Sequence, residues 1–314
     1  MKLGFLYAGQ GSQHPGMGED LYSDYPVFRD LYDSLELDFD LKDISFHDPV
    51  GVLTQTRYTQ PCMVAFAAGL TAVLAQKGIV PDLAAGLSLG EYSALCAAGV
   101  FDPVTAVELA AFRGQAMEQA AAGRPSAMVA VLGLEREALQ KACDAASDLG
   151  VVVIANYNCP GQLVIGGEQA AVERAAALAK EQGARRCLPL KVSGPFHTPL
   201  MAPAGEALRE KFRTVDFHRE ALPVIFNCLG GFRAESDSVP ELLVRQVQSS
   251  VYMEDSIRTM AAQGVDAIVE IGPGKALTGF VKKTVPGLPV FPVETAADVE
   301  KLPELLAAIE KEAQ

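Results

Sequence analysis

The sequence predicts an α/β fold with a mostly parallel β-sheet, interrupted by a smaller domain of different order. Short apolar segments typical of strands alternate with alanine-rich segments typical of helices along the chain, which is the pattern of parallel α/β proteins. Between residues 126 and 192 the order changes to strand, helix, strand, strand, helix, strand. We therefore predict a large domain made of residues 1–125 and 193–314, with a small domain of residues 126–192 inserted into it.

The elements of the large domain follow from apolar runs and from the residues that begin or end helices. A first strand is predicted at 2–8, and a long buried helix at 61–77, ended by Gly78. Asp102 is a typical N-cap residue and Pro103 is a typical first-turn residue, so a helix should extend from 103 to 122. The remaining elements are predicted as strands at 83–85, 222–226 and 267–271, and as helices at 91–98, 239–249 and 254–263.

The small domain has the βαββαβ order of ferredoxin-like domains. Glycine and proline occur at both of its boundaries, in residues 123–125 and 193–195. Its predicted elements are strands at 127–132, 151–155, 162–165 and 186–190, and helices at 135–146 and 169–182.

Composition excludes several classes of function. The net charge of −13 argues against nucleic acid as a partner, because phosphate binding needs a basic surface. No apolar run approaches about 18 residues, so no membrane span is expected, and the N-terminus is typical of a strand rather than a signal peptide. The six cysteines form no C-x-x-C pair and the four histidines are scattered. The sequence therefore predicts a cytoplasmic protein with neither a metal site nor a disulfide scaffold.

The segment Gly86-Leu87-Ser88-Leu89-Gly90 has the G-x-S-x-G form of a nucleophile elbow, with a predicted strand before it and a predicted helix after it. Such a turn exposes one hydroxyl at the carboxyl edge of a sheet, beside the N–H groups of a helix N-terminus. Ser88 is therefore the candidate nucleophile of an enzyme that handles acyl groups.

A serine hydroxyl needs a base, and His197 is the best candidate for it. It lies in the glycine–proline loop where the chain re-enters the large domain, whereas His14, His47 and His218 lie in less suitable surroundings. No carboxylate stands where a hydrolase triad would need one, so the orienting group for His197 is expected to be a backbone carbonyl or an amide side chain.

Arg113 interrupts an otherwise apolar helix face, and Gly114 is expected to leave open space beside it. Such an arginine either reaches solvent or binds a carboxylate through two parallel hydrogen bonds. The glycine loop Gly9-Gln10-Gly11-Ser12-Gln13 can offer backbone N–H groups, but it lacks the third glycine of a dinucleotide fingerprint. Gly272-Pro273-Gly274-Lys275 likewise lacks the spacing of a Walker A loop.

Taken together, these residues resemble the malonyl-CoA:acyl-carrier-protein transacylases, the acyltransferases of fatty-acid and polyketide synthesis. The resemblance covers nearly the whole chain and implies a hydrolase-like core with a ferredoxin-like insertion. It rests on the two glycine motifs at 9–13 and 86–92 and on Arg113-Gly114 with Met117, Asn156-Tyr157-Asn158-Cys159-Pro160-Gly161-Gln162, Gly194-Pro195-Phe196-His197, Gln246 and Glu270-Ile271-Gly272-Pro273-Gly274.

The resemblance implies catalytic roles. Ser88 would take a malonyl group from coenzyme A as an ester. His197 would be the base for Ser88, the acid for the leaving thiol, and then the base for the phosphopantetheine thiol of the carrier protein. The backbone N–H groups of Gln10 and Leu89 would form the oxyanion hole.

Further residues of the resemblance would bind or position the substrate. Arg113 would bind the malonyl carboxylate, and the carbonyl or side chain of Gln246 would orient His197. Phe196 would crowd an α-methyl group, and Asn158 is a weaker candidate for substrate binding.

Two positions depart from the family pattern. Leu87 stands where the family often has histidine before the elbow serine, and Ala8 stands where proline is common. Leu87 cannot donate a hydrogen bond to the acyl group. The resemblance therefore does not determine the rate of acyl transfer or the selectivity for the acyl group. Ala8 leaves the N–H of Gln10 unaffected.

The implied partners are malonyl-CoA and an acidic holo acyl carrier protein, without a bound cofactor and with a monomeric enzyme. Because the chain is itself acidic, docking needs a local basic surface. The candidates for it are Arg185, Arg186, Lys191, Lys275, Lys282 and Lys283. Three alternatives stay open: a serine hydrolase or thioesterase, an acyltransferase of a polyketide pathway, and a non-catalytic binding module.

Overall fold

A computed structural model describes residues 1–312 of the chain, and the fold is mixed α/β. Its internal contacts divide the chain into two units. The first unit consists of Met1–Gly114, Asp216–Phe226 and Ile257–Gln314, of which residues 313 and 314 lie outside the described part. The second unit consists of Gln115–Val215 and Asn227–Ser256.

The strands of the described residues are, in chain order, β1 (Leu3–Tyr7), β2 (Leu83–Gly86), β3 (Ser126–Leu132), β4 (Val152–Cys159), β5 (Gln162–Glu168), β6 (Arg186–Pro189), β7 (Val224–Phe226), β8 (Gly231–Phe232), β9 (Val251–Tyr252), β10 (Ala267–Ile271) and β11 (Val290–Val293). The α-helices are α1 (Glu19–Asp24), α2 (Pro26–Ser34), α3 (Leu41–Phe46), α4 (Thr56–Gln76), α5 (Gly90–Ala97), α6 (Pro103–Ala121), α7 (Arg136–Asp144), α8 (Gln169–Glu181), α9 (Ala202–Phe212), α10 (Val239–Val247), α11 (Met253–Ala262), α12 (Ala276–Thr284) and α13 (Ala296–Glu312).

The first unit contains the parallel sheet that the sequence predicts. Its strands lie in the order β11-β10-β1-β2-β7, and each neighbouring pair is parallel. The two central strands, β1 and β2, are fully buried, as strands covered on both faces must be. The carboxyl ends of parallel strands meet at one edge, which is where ligands bind in open α/β sheets. The loops after β1 and β2 both begin at this edge.

The second unit contains the βαββαβ order predicted for its central part. Its strands lie in the order β6-β3-β5-β4-β9; the neighbours from β6 to β4 are antiparallel, and β9 is parallel to β4. Helices α7 and α8 pack on this sheet and bury an apolar cluster that includes Val131, Ile154 and Ile165.

The predicted boundaries of the small domain, 126–192, lie wholly inside the second unit. That unit also includes the flanking residues 115–125 and 193–215 and the segment 227–256. The division by contacts is therefore wider than the one by element order, and the predicted boundaries stay a prediction.

Helix α4 corrects one prediction from the sequence. It begins at Thr56 rather than Pro61, and the helix accommodates this proline in its second turn. Among residues 1–312 it is also the helix long and apolar enough to cross a membrane by length and composition. However, 78% of its apolar window is buried inside the protein, as expected of a helix in a protein core.

Candidate active site

Ser88 lies at the sharp turn between β2 and α5, with a left-handed backbone φ of +51°. Glycines on both sides make this turn possible. A Cβ atom on Gly86 would lie 2.0 Å from the carbonyl carbon of Gly90, and one on Gly90 would lie 2.3 Å from the backbone oxygen of Tyr7. Both distances are far below van der Waals contact, so the strand, the turn and the helix can approach this closely only with glycine at these positions.

The register of the sheet relates the first glycine loop to the elbow. β1 and β2 are parallel with Tyr7 opposite Gly86, so Gln10 and Leu89 each stand three residues beyond this matched pair. A Cβ atom on Gly9 would lie 2.4 Å from the backbone oxygen of Leu87, which shows how closely the two loops approach. Within residues 1–312 the backbone N–H groups of Gln10 and Leu89 make no hydrogen bond, so both donors are available to a ligand.

Arg113, on α6, is almost fully buried, with 1% of its surface exposed. Its Nη2 donates to Ser88 Oγ at 3.2 Å and its Nη1 donates to Gln60 Oε1 at 2.9 Å. The guanidinium lies over the ring of Tyr92, 5.4 Å from its centre. Burial lowers the pKa of this guanidinium from its usual value, while Tyr92 and Glu91 oppose that change. Of the two alternatives for Arg113, the structure therefore excludes a solvent-exposed side chain.

Gly114 has a different role from the one predicted. The space beside it is filled, because a Cβ atom there would lie 2.7 Å from the backbone oxygen of Thr56 and 2.9 Å from the Cα of Arg57. The expectation of open space was therefore wrong. The missing side chain instead lets α6 approach the first turn of α4, and this approach brings Arg113 to Gln60.

Gln60, Thr56 and Tyr92 contact these groups, and the sequence analysis assigned none of them a role. Gln60 Nε2 donates to Gln10 Oε1 at 3.4 Å, and Gln10 Nε2 donates to Thr56 Oγ1 at 3.0 Å. A usable signal was present in the sequence: Thr59-Gln60 is a polar pair at the start of a long apolar helix, and buried polar side chains require partners.

His197 belongs to the second unit, where it is buried and also adopts a left-handed backbone, with φ of +60°. Its Nδ1 lies 2.9 Å from the backbone oxygen of Gln246, on α10. Because a carbonyl oxygen can only accept, we assign the proton to Nδ1, which leaves Nε2 of the neutral ring as an acceptor. Of the two predicted ways in which Gln246 could orient His197, the structure contains the carbonyl contact.

Thr198 and the backbone stabilise the loop around His197. The Thr198 hydroxyl donates to the backbone oxygen of Pro195 at 2.6 Å, and the N–H of His197 donates to the backbone oxygen of Val247 at 3.3 Å. The methyl group of Thr198 faces Gly166, where an added Cβ atom would lie 3.3 Å away. The left-handed histidine is thus held on several sides.

The two weaker candidates in the second unit are both largely buried. Phe196 precedes His197 and is 7% exposed, and Asn158, on β4, is 8% exposed. Among the described residues, the side-chain oxygen of Asn158 has no hydrogen-bond partner. A buried acceptor without a partner is uncommon, and this keeps Asn158 a candidate for ligand binding.

The other histidines contact carboxylates or lie apart from these groups. His14 Nε2 contacts Glu294, and His47 Nδ1 lies 3.1 Å from Asp43. His218 donates its backbone N–H to Val100. Within residues 1–312 no cluster of three or more histidine, cysteine, aspartate and glutamate side chains is suited to hold a metal ion.

A serine on a glycine-bounded elbow, with a buried guanidinium on its hydroxyl, defines an enzyme that handles acyl groups. In agreement, residues 4–305 match the family described as the acyl transferase domain. A malonyl CoA-acyl carrier protein transacylase from Bacillus subtilis is 41% identical over 302 residues, which are 95% of each chain.

Solved structures agree with this family. The malonyl CoA-acyl carrier protein transacylase of Clostridium perfringens superposes with a TM-score of 0.96 at 38% identity, covering 100% of this chain and 99% of that one. A malonyl-transacylase in complex with its type II PKS acyl-carrier protein superposes with a TM-score of 0.93 at 36% identity, covering 97% and 100%. This chain therefore belongs to the malonyl CoA-acyl carrier protein transacylase family.

Proposed function

We propose that this chain transfers a malonyl group from coenzyme A to the phosphopantetheine thiol of an acyl carrier protein in fatty-acid biosynthesis, through an ester on Ser88. The observation that carries the proposal is the buried guanidinium of Arg113, 3.2 Å from Ser88 Oγ. A buried cation at a nucleophile favours an acyl group that bears its own negative charge. The names of the relatives, which are malonyl transferases, support the same substrate.

In the first half-reaction, Ser88 Oγ attacks the thioester carbonyl carbon of malonyl-CoA while His197 Nε2 takes the hydroxyl proton. The carbonyl oxygen becomes negatively charged and accepts hydrogen bonds from the N–H groups of Gln10 and Leu89. When the carbon–sulfur bond breaks, the coenzyme A sulfur receives the proton from His197. The loss of one such oxyanion donor typically costs about 2.7–4 kcal/mol of transition-state stabilisation.

The second half-reaction is the reverse chemistry with another thiol. His197 takes the proton of the phosphopantetheine thiol, whose sulfur attacks the ester carbonyl. The ester bond to Ser88 breaks, and Ser88 Oγ takes the proton back from His197. Each step uses only side chains, backbone N–H groups and the two substrates, so the proposal includes no bound cofactor.

Arg113, Phe196 and Asn158 are proposed to select and position the acyl donor. Arg113 binds the free carboxylate of the malonyl group, and Phe196 crowds an α-methyl substituent, which favours malonyl over methylmalonyl. Asn158, with its unpartnered carbonyl oxygen, accepts a hydrogen bond from the donor molecule. Gln246 acts through its backbone carbonyl, which keeps the proton of His197 on Nδ1.

We propose the segment around β6 as the docking surface for the carrier protein. β6 is an edge strand of its sheet, and Arg185, Arg186 and Lys191 are exposed along this segment. Along the same segment three apolar side chains are also exposed by 38–45%, namely Leu188, Leu190 and Val192. A basic segment with an apolar row fits an acidic partner that presents an amphipathic surface.

The alternative docking surface consists of Lys275, Lys282 and Lys283, which are exposed on and beside α12.

Charge reversal distinguishes the two surfaces. Reversing Arg185 and Arg186 to glutamate should raise the KM for the carrier protein and leave the KM for malonyl-CoA unchanged. The matched reversal of Lys282 and Lys283 should change neither KM value. If the KM for the carrier protein rises only in the Lys282 and Lys283 variant, the docking surface lies at α12. If a variant raises the KM for both substrates, the surface that carries its substitutions is not the docking surface.

Arg113→Ala tests the substrate proposal. Malonyl transfer should fall, and transfer from acetyl-CoA should gain relative to it, since the charge that favours a carboxylate is gone. Intact malonyl transfer in Arg113→Ala would contradict the proposal.

Two further measurements distinguish the alternatives. Rapid release of free malonate by the unaltered enzyme, without any thiol acceptor, would favour a serine hydrolase instead. Comparison of carrier proteins from fatty-acid and polyketide synthesis as acceptors distinguishes the two pathways.

We further propose that the enzyme is monomeric and cytoplasmic. The cytoplasmic setting is supported by the cysteine pattern of the sequence, which lacks paired motifs and suits a reducing compartment. Light scattering on the purified protein tests the monomer, with a dimer mass as the contradicting result.

A further inference from the structure

The loop of residues 8–18 joins β1 to α1 and carries Gln10, whose backbone N–H is a proposed oxyanion donor. One side of this loop is held on α4, where Gln10 Nε2 donates to Thr56 Oγ1 at 3.0 Å. The residue after Gln10 is open, because nothing lies within 4 Å of a Cβ atom placed on Gly11. Further contacts that hold the loop must therefore come from residues beyond Gly11.

The far side of the loop lies against the segment 272–275, which follows β10. A Cβ atom placed on Gly274 would lie 3.6 Å from the Cβ of Ser12, which is ordinary van der Waals contact. Glu294, directly after β11, joins the two segments. Its Oε2 accepts from the N–H of Gly274 at 2.8 Å, and its Oε1 contacts His14 Nε2. His14 and Glu294 thus form a bridge between the loop 8–18 and the segment after β10.

Both ring nitrogens of His14 face oxygen atoms. Nδ1 lies 3.0 Å from the backbone oxygen of Pro15, and Nε2 contacts the Glu294 carboxylate. A carbonyl and a carboxylate only accept, so both nitrogens must carry a proton and the ring is an imidazolium. Imidazole is more basic than a carboxylate, which assigns the shared proton to His14. The Pro15 carbonyl raises the pKa of His14, burial opposes this change, and Glu294 raises the pKa further.

Deprotonation of His14 breaks this bridge. A neutral ring has one N–H, so it can donate to Pro15 or to Glu294 but not to both. The other nitrogen then directs a lone pair at an oxygen atom, which is repulsive. Because the pKa of His14 is raised in the folded protein, the bridge is complete below the ordinary histidine pKa of about 6.5 and is lost as the pH rises through the raised value.

The charged groups on the elements around His14 are mostly acidic. A cavity of about 410 Å³ lies beside the ring, and its other charged residues are all carboxylates. The neighbouring elements contribute Glu19 and Asp20 from α1, Glu294 from the segment after β11, Asp298 from α13, and the exposed Lys275 from the segment after β10. Asp20 and Asp298 accept backbone N–H groups, and Glu294 is the carboxylate that pairs with the ring.

We propose that His14 and Glu294 are positioning residues of the proposed oxyanion hole, which hold the loop 8–18 against the segment after β10 while His14 carries both ring protons. The inference rests on the proposed function, since it needs the N–H of Gln10 to act on the substrate. Both residues act through the backbone that joins His14 to Gln10, and not by contact with the reacting atoms.

The test is the single-turnover rate of Ser88 acylation by malonyl-CoA, measured by rapid quench in the unaltered enzyme and in His14→Ala at the same pH. At about pH 6, His14→Ala should be about three- to tenfold slower with the apparent Kd for malonyl-CoA unchanged, because an oxyanion donor acts in the transition state. At about pH 9 the two rates should converge, because His14 is then neutral in the unaltered enzyme as well.

The ratio of the two rates separates this role from a merely structural one. Titration of His197 is common to both enzymes and cancels in the ratio. A loss of packing in His14→Ala does not depend on the protonation of His14, so it would give the same ratio at both pH values. That result would overturn the inference, and so would a change in Kd without a change in rate.

His47→Ala is the matched control. His47 is also an exposed histidine beside a carboxylate, with its Nδ1 3.1 Å from Asp43, but it lies at the end of α3. Its removal should leave the acylation rate unchanged at both pH values. A pH-dependent loss in His47→Ala as large as in His14→Ala would contradict a specific role for His14.

Glu294→Gln tests the other half of the bridge. The amide keeps an oxygen for the N–H of Gly274 and removes the charge that pairs with His14. It should slow acylation at about pH 6 as much as His14→Ala does. Combining the two substitutions should have little further effect, because the two residues act as a unit. Additive losses would overturn the inference.

The proposed function and this inference fail in different ways. Failure of the unaltered enzyme to form a malonyl ester on Ser88 at any pH would refute the proposed function. An ester that forms in the unaltered enzyme and in His14→Ala at rates within about twofold at both pH values would refute only the role of His14.

Discussion

Ser88 in the first unit and His197 in the second both occupy left-handed backbone, but different contacts hold them there. The turn at Ser88 depends on residues without side chains, because any Cβ atom on Gly86 or Gly90 would overlap neighbouring backbone. The turn at His197 depends on hydrogen bonds to backbone oxygens, from its own Nδ1 and N–H and from the Thr198 hydroxyl. Steric exclusion fixes the proposed nucleophile, whereas polar contacts fix the proposed base.

This difference explains what could be predicted from the sequence. Gly86 and Gly90 are visible as residue types at fixed spacing, so the elbow was located from the sequence with its strand and helix. The acceptor for His197 is a backbone oxygen, which every residue has, so the sequence left a carbonyl and an amide side chain as alternatives. Side-chain chemistry is encoded locally, but the choice of a backbone partner depends on tertiary structure.

The elements of the fold also differ in how much of their structure is encoded locally. The six elements between 126 and 189 were predicted with the correct type and order, because the hydrophobic pattern of the sequence is the main signal for helices and strands. Helices α1 to α3 were not predicted, since they are short segments of six to nine residues, too short to show several helical turns of a periodic pattern. Gln60 was assigned no role because the polar pair Thr59-Gln60 shows that a buried partner is needed but not which residue supplies it.

The largest expected effect concerns the base itself. His197→Ala should lower kcat by between about a hundredfold and ten-thousandfold, the usual contribution of a general base. Rapid-quench measurement of the acylation of Ser88 by malonyl-CoA would show it. A fall in kcat smaller than tenfold would mean that His197 does not take the proton of Ser88.

The steric account of the elbow predicts a loss of stability. Gly90→Ala places a methyl group against the backbone oxygen of Tyr7 and should lower the free energy of unfolding by about 1–3 kcal/mol or more. Gly279→Ala, in α12, is the matched control, because nothing lies within 4 Å of its Cβ position. That variant should stabilise the protein by about 0.5–1 kcal/mol. Urea denaturation of both variants tests this, and equal stabilities would contradict it.

The polar account of the His197 loop predicts a smaller effect. Thr198→Val keeps the methyl group that faces Gly166 and loses the hydrogen bond to Pro195, worth about 1 kcal/mol, so kcat should fall by about fivefold. Thr198→Ser keeps the hydrogen bond and should retain kcat. If Thr198→Ser lowers kcat as much as Thr198→Val, this expectation is contradicted, because packing of the side chain rather than its hydroxyl would then hold the loop.

The smallest effect is expected at Gln246. Because His197 contacts the backbone oxygen of this residue, Gln246→Met keeps the acceptor and nearly the same volume, and kcat should stay within about threefold. Steady-state transfer to the carrier protein measures it. A loss of a hundredfold or more would show that the side chain, rather than the carbonyl, orients the histidine.

The most direct test of the central claim is intact-mass spectrometry of the enzyme, first with malonyl-CoA and then with holo carrier protein. We predict a malonyl adduct that is absent in Ser88→Ala and that moves to the carrier protein when it is added. An adduct that also forms on Ser88→Ala, or one that is lost as free malonate while the carrier protein stays unmodified, would contradict a transfer through Ser88.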